Sequence, residues 1–255
     1  MSNSAWVRVL PFAVFMAFIG LEGILRWSFN SGFFPLAEDL LLYSYPLRAV
    51  AVAVLLLWLW PHYTEIRVKD LLQWRYTFLS VLAGGVIFLF WIQMDWGFAT
   101  FGEIPGFNPG VYEDSAVRSM MILARLGGAV LVVPLMEEIF WRSFLIRYAI
   151  DSDFTRVALG RFTWFSFIVI TILFGLEHHL FLAGMLAGAL FNLVLYMTRS
   201  IMQCIVSHAV TNLALGIYVL QTGQWHFAYS GANRPLIPLQ SGPPVPEQTG
   251  PGLPL

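Results

Sequence analysis

Apolar residues run along this chain in blocks of about 20, each long enough for a helix to cross the ~30 Å hydrocarbon core of a bilayer. Polar and turn-forming residues collect between the blocks. The pattern predicts helical spans over Trp6–Trp27, Leu40–Trp60, Tyr76–Trp96, Ala116–Ile150, Phe162–His179, Phe181–Met197 and Ile201–Leu220. The fourth is too long for one simple crossing, and Pro134 within it removes a backbone donor and crowds the preceding turn. Seven spans are expected, or eight if Pro134 divides that stretch. The fold class is therefore all-α, a polytopic transmembrane helical bundle.

Composition supports this class. Hydrophobic residues make up 58% of the chain and charged residues 11%, against about 45–50% and about 25% in ordinary soluble domains. A net charge of −1 without a dense basic cluster excludes nucleic acid as a partner and leaves the lipid bilayer. The single cysteine, Cys204, forms no internal disulfide, and cysteine-rich zinc spacing is absent. Arg8 alone precedes the first apolar run, with no small-residue cleavage site, so that run is expected to be a retained span rather than a signal peptide.

Charge between the blocks orients them. Arg67, Lys69 and Arg75 follow the second span, Arg147, Arg156 and Arg161 the fourth, and Arg199 the sixth. By the positive-inside rule these connectors and the amino terminus are cytoplasmic, as in a multi-pass protein of a bacterial inner membrane. The acidic stretch Gly97–Asp114 belongs on the far side, where a loop of that length is a lid or is loose. Trp58, Trp60, Trp74, Trp91 and Trp96 fall near span ends, as interfacial indoles do. The chain thus divides into three regions: a three-span part over residues 1–115, a helical core over 116–221, and a tail over 222–255. From Ala232 onward the tail holds seven of the fourteen prolines, which predicts disorder.

Candidate chemistry sits where polar groups interrupt apolar helices, because an ionisable side chain in a membrane persists only when paired, wetted or used. Glu137 and Glu138 adjoin, and Arg142 follows Glu138 by four residues, one helical turn on the same face. Glu137 is left pointing about 100° away, free to face a cavity. Phe174 and His178 share a helix face, as do His208 and Asn212. Carboxylate, imidazole and amide on three different helices are the groups of general acid–base work. Glu137 suits a base that takes a proton from water, with His208 and Asn212 addressing the oxygen of a tetrahedral intermediate. Such a site would hydrolyse an amide.

These motifs, Glu137-Glu138-x-x-x-Arg142, Phe174-x-x-x-His178 and His208-x-x-x-Asn212, resemble those of the CPBP intramembrane endopeptidases, the family of type II CAAX prenyl proteases and bacteriocin-immunity proteins. The resemblance covers about Ala116 to Val219. The chain as a whole is also similar to a bacterial CAAX protease-related subgroup linked to exosortase sorting. The family implies that Glu137 activates water with His178 beside it, that His208 and Asn212 line the oxyanion site, and that Glu138 with Arg142 orients the first motif's helix. His179 stands as an alternative to His178 in the doublet. A metal is implied only ambiguously. Glu137, His178 and His208 are the set that would hold zinc with an open position, yet no His-Glu-x-x-His helix is present, and no cofactor is the expectation.

The substrate implied is a membrane-anchored protein or peptide. A non-catalytic interaction or immunity role and a proton or ion carrier are the competing classes. Counting about 1.5 Å per residue from the cytoplasmic helix ends puts Glu137, His178 and His208 roughly 21, 26 and 14 Å deep, meeting in a water-filled cavity. The CAAX-type resemblance opens that cavity to the cytoplasm, which is the expectation adopted; the depths lean the other way.

Overall fold

The computed structural model describes residues 3–31, 43–101 and 108–228. The tail beyond residue 228, the connector with Pro35, Glu38 and Asp39, and residues 102–107 of the acidic loop lie outside the described residues. Among the described residues seven apolar helices form: α1 (Asn3–Asn30), α2 (Ser44–Leu59), α3 (Trp74–Trp91), α4 (Ser115–Tyr148), α5 (Trp164–Glu177), α6 (Phe181–Thr198) and α7 (Ile201–Thr222). All but α5 are long and apolar enough to cross a membrane. Helix α5 has 14 residues, about 21 Å, and stops short of a full crossing.

Pro134 does not divide the fourth span, so the eighth helix allowed by the sequence does not form. Helix α4 passes through Pro134 by relaxing into a π-helical turn over Gly128–Val132 just before it. Pairing across five residues accommodates a ring that an α-turn would reject. A second π-helical stretch, Ile139–Leu145, follows the glutamates. Each π-turn admits an extra residue and rotates the succeeding residues around the axis. The faces of α4 therefore depart from a simple 3.6-residue count.

Helix α1 packs on α2 and α4, α3 on α6 and α7, and α6 on α5 and α7. One apolar core, including Phe15, Leu56, Ile87, Met136, Phe174 and Phe191, runs through both the three-span region and the helical core. Small residues set the closest approaches. A Cβ on Gly184 would stand 3.0 Å from the Cβ of His178, and one on Gly188 3.1 Å from that of Phe174. The small-residue stripe expected to bring helices together thus packs against the two aromatic residues of the second motif. Gly84 does the same for α7, whose Thr211 donates to the Gly84 carbonyl at 3.0 Å.

The cationic end of the bundle is tied by a buried polar cluster. Arg8 on α1 grips Glu65 with two hydrogen bonds, at 2.8 and 2.7 Å, and reaches Ser143 on α4 at 3.1 Å. Ser143 donates to Glu65 and accepts from Arg147 at 3.1 Å. Nearby, Ser200 caps α7 and donates to Asp70 at 2.6 Å. Arg199, in the left-handed conformation at φ 51°, makes the tight reversal between α6 and α7.

Burial by itself would raise the Glu65 carboxyl, but the Arg8 and Ser143 hydrogen bonds and the Arg8 charge more than offset it and hold it below the ordinary value. A depressed folded-state value means the added stability is present above the unfolded carboxyl range near pH 4.5 and is lost as pH falls through the folded value. Thermal stability in detergent micelles should therefore drop as the pH is lowered below about 4.5. In Glu65→Gln the protein should be less stable at pH 7 and that drop should be smaller. An identical acid profile in the two proteins would dismiss this role for Glu65.

Candidate active site

The two glutamates of the first motif part company, as their successive directions on a helix require. Glu138 turns into the protein, and both it and Arg142 are 0% exposed. Arg142 donates to Glu138 Oε1 at 3.1 Å and to the Gly188 carbonyl at 3.3 Å. Its guanidinium stacks 4.3 Å above the Phe174 ring and 5.2 Å from that of Phe191. The same Glu138 oxygen meets His208 Nδ1 at 2.9 Å. Glu138 therefore joins α4 to α7 directly, beyond the expected pairing with Arg142 on its own helix.

Glu137 faces the other way, onto a cavity of about 460 Å³ whose wall also carries His178, His208 and Asn212. One of its oxygens, Oε2, is buried without a hydrogen-bond partner among the described residues. A buried carboxylate oxygen left open in this way is a point where water or substrate completes the site.

Hydrogen-bond chemistry assigns the imidazole tautomers. His178 Nδ1 lies 2.7 Å from the Phe174 carbonyl; a carbonyl only accepts, so Nδ1 carries the proton and Nε2 of the neutral ring is an acceptor. The ring is held between Phe174, with centroids 4.7 Å apart, and Trp91 at 5.4 Å edge to face. His208 donates its Nδ1 proton to Glu138 and stacks on Phe191 at 4.8 Å. Its Nε2 then donates to an oxyanion only when the ring is doubly protonated. Asn212 gives one amide proton to the Ala129 carbonyl at 2.7 Å and keeps a second. The expected oxyanion pair is thus unequal: the amide donor is present in any state, the imidazole donor only in the imidazolium.

His178 stands just past the end of α5, in extended conformation as its C-cap, rather than inside the span as the hydropathy pattern had it. Helix α6 begins at Phe181, so Glu177 to Leu180 form a turn against the cavity. Irregular backbone at membrane depth is tolerated where it lines a cavity or is covered by protein, and both hold here. Glu177 to Leu180 all contribute to the wall. Phe101, from the acidic loop, donates its amide to the His179 carbonyl at 3.0 Å and packs on Phe181 with ring centroids 4.7 Å apart. From the observed helix ends the depths become roughly 16 Å for Glu137, 21 Å for His178 and 10 Å for His208. Side-chain reach closes much of that spread, since His208 touches the neighbour of Glu137.

Several cavity residues escaped the sequence reading. Glu177 lines the wall, and Trp141 Nε1 donates to its carboxylate at 3.1 Å; its signal was an acid at the end of an apolar run. Trp91, expected as an interfacial anchor, faces inward on His178 instead, because α5 ends at that level and leaves the imidazole for it to cover. Arg125 and Tyr45 also line the cavity. The cavity extends from Phe191 and His208 to Tyr45, Leu220 and Trp225 at the end of the bundle opposite the Arg8 cluster.

The residues proposed as a zinc set do not fit one as the side chains stand. Among the described residues no three His, Cys, Asp or Glu side chains converge closely enough to hold a metal ion.

Comparison with known proteins agrees with the motif reading at the level of family. No curated protein and no solved structure matches the chain. Residues 119–214 match the family model described as Type II CAAX prenyl endopeptidase Rce1-like, a segment that contains Glu137, His178, His208 and Asn212. Over that segment the chain is similar to the Rce1-like type II CAAX prenyl endopeptidase family.

Proposed function

We propose that the chain is an intramembrane endopeptidase that hydrolyses a peptide bond of a membrane-associated substrate with water activated by Glu137. The observation that carries this reading is the convergence of Glu137, His178, His208 and Asn212 on one cavity, with Glu138 and Arg142 buried behind them. Water held between the Glu137 carboxylate and His178 Nε2 meets two acceptors, which orients both protons away from the substrate carbonyl. Glu137 takes one proton as the oxygen attacks the carbonyl carbon. Negative charge develops on the carbonyl oxygen, where Asn212, and His208 as the imidazolium, donate to it. Collapse breaks the C–N bond, and the proton on Glu137 passes to the departing amine. Glu138 acts as a positioning residue, fixing the His208 ring and holding Arg142.

The mechanism uses no metal, and it runs in an integral, multi-pass protein of a bacterial inner membrane. The positive-inside rule places the end carrying Arg67, Lys69, Arg75, Arg147, Arg156, Arg161 and Arg199 in the cytoplasm together with the amino terminus. The cavity then opens on the extracytoplasmic side.

Three measurements test this reading. In membrane-reconstituted protein, Glu137→Gln should lower turnover of a cleaved membrane peptide by at least about 10²-fold with no loss of folded protein. Arg142→Ala should lower both, since it strands buried Glu138 at a cost of about 3–5 kcal/mol. Turnover in Glu137→Gln equal to that of the parent would sink the mechanism. Activity should survive exhaustive chelation, with metal content assayed on the purified protein; a stoichiometric zinc whose removal silences the enzyme and whose return restores it would overturn the metal-free scheme. In a Cys204→Ser background, single cysteines at Leu220 and Trp225 should react with impermeant thiol reagents from outside intact cells. Labelling from the cytoplasmic face alone would reverse the orientation.

A further inference from the structure

Glu177 is a second carboxylate on the cavity wall, and the hydrolytic scheme gives it no part. It is the last residue of α5, at the end of an apolar helix, where an ionisable group is costly unless it is paired or used. Among the described residues its carboxylate receives one hydrogen bond, from a neutral donor, Trp141 Nε1 to Oε2 at 3.1 Å. Its Oε1 receives none, and no arginine, lysine or histidine forms an ion pair with it among the described residues. A carboxylate held in place on one oxygen and open on the other is a binding group without its ligand.

The same end of the cavity holds Glu137, which is 5% exposed and whose Oε2 has no hydrogen-bond partner among the described residues. Trp141, the residue that holds Glu177, stands four positions after Glu137 on α4, about 6 Å along the axis, and the two carboxylates interact electrostatically. The positive groups of the site are engaged elsewhere. Arg142 is bound to Glu138 at 3.1 Å and sealed from the cavity at 0% exposure. His208 commits Nδ1 to Glu138 and His178 commits its own to the Phe174 carbonyl. Arg125 lies on the same wall but twelve residues before Glu137, roughly 18 Å along the helix axis, and packs on the Tyr45 ring at 4.7 Å. The catalytic end is therefore acidic, and in a low-dielectric wall that charge favours an incoming cation. Trp91 and Leu180 on the same wall suit the apolar stem of a long basic side chain.

We propose that Glu177 determines specificity by binding a cationic group of the substrate, a guanidinium or ammonium, within about two extended residues of the bond placed beside Glu137. A basic side chain and a free amino terminus both carry this chemistry. The inference deepens the endopeptidase reading and rests on it for the position of the scissile bond. The cation preference itself is measured without cleavage.

The test uses full-length Glu137→Gln protein in nanodiscs and apolar octapeptides, acetylated at the amino terminus and carrying an uncharged dye at the carboxy terminus. Two of them differ only at one central position, arginine in one and its neutral isostere citrulline in the other. By fluorescence anisotropy the arginine peptide should bind about ten-fold more tightly, as expected of a hydrogen-bonded ion contact. Adding Glu177→Gln should abolish the difference, while its amide oxygen still accepts from Trp141. Glu177→Asp, which keeps the charge and guards against a folding defect, should retain a preference of a few-fold. The citrulline peptide with its amino terminus unblocked separates the two sources: a Glu177-dependent gain there, in place of one from the side chain, would support the same subsite with a terminal ammonium as its ligand. Equal binding of all three peptides, a cation preference that survives Glu177→Gln, or no binding of any peptide at about 1 mM would overturn the proposal. Absence of turnover in the parent protein with the cation preference intact would instead reject the protease reading alone.

Discussion

A carboxylate with no access to solvent governs the arrangement of this molecule. Glu138 is wholly buried and its Oε1 receives both Arg142 and His208. A charge placed so deep is costly unless its partners come with good geometry. Arg142 supplies one, and its remaining surface is covered by the Phe174 and Phe191 rings and the Gly188 carbonyl. Meeting that single requirement brings α4, α5, α6 and α7 to one point. The helices bearing the three motifs are gathered by a group that never faces the cavity.

The cavity side is set by the groups that the buried side leaves over. With Glu138 and Arg142 turned inward, Glu137 faces outward from the same turn. His208 is fixed through Nδ1 and presents Nε2, and His178 is fixed in the same sense by the Phe174 carbonyl. In each imidazole one nitrogen is committed to the scaffold and one is left for chemistry. Such second partners set the orientation and tautomer on which proton transfer depends. The match of residues 119–214 to the Rce1-like family model agrees with a hydrolytic use of this geometry.

Helix irregularity carries the remaining design. The two π-helical stretches of α4 reset its faces on either side of the glutamates, a common position for such turns at functional sites. Helix α5 ends early, so that Glu177 to Leu180 turn across the cavity instead of continuing to the membrane surface. The cost of irregular backbone at that depth is offset by the cover from Phe101, Phe181 and Trp91.

The helical class, the positions of the seven apolar helices among the described residues and the three motifs were legible in the chain itself. Hydropathy blocks depend on local composition alone, and the pairing of Glu138 with Arg142 is a contact within one helix. Tautomer and the wider cavity wall were decided by tertiary structure. Glu138 serving His208, Trp91 turned onto His178, Glu177 held by Trp141, and Arg125 sharing the cavity with Glu137 all join residues distant in sequence or displaced by a π-turn. Apolar periodicity reports whether a residue lies in a helix. It does not report which neighbour that helix meets, or where one extra residue rotates its face, and those two quantities shaped the site.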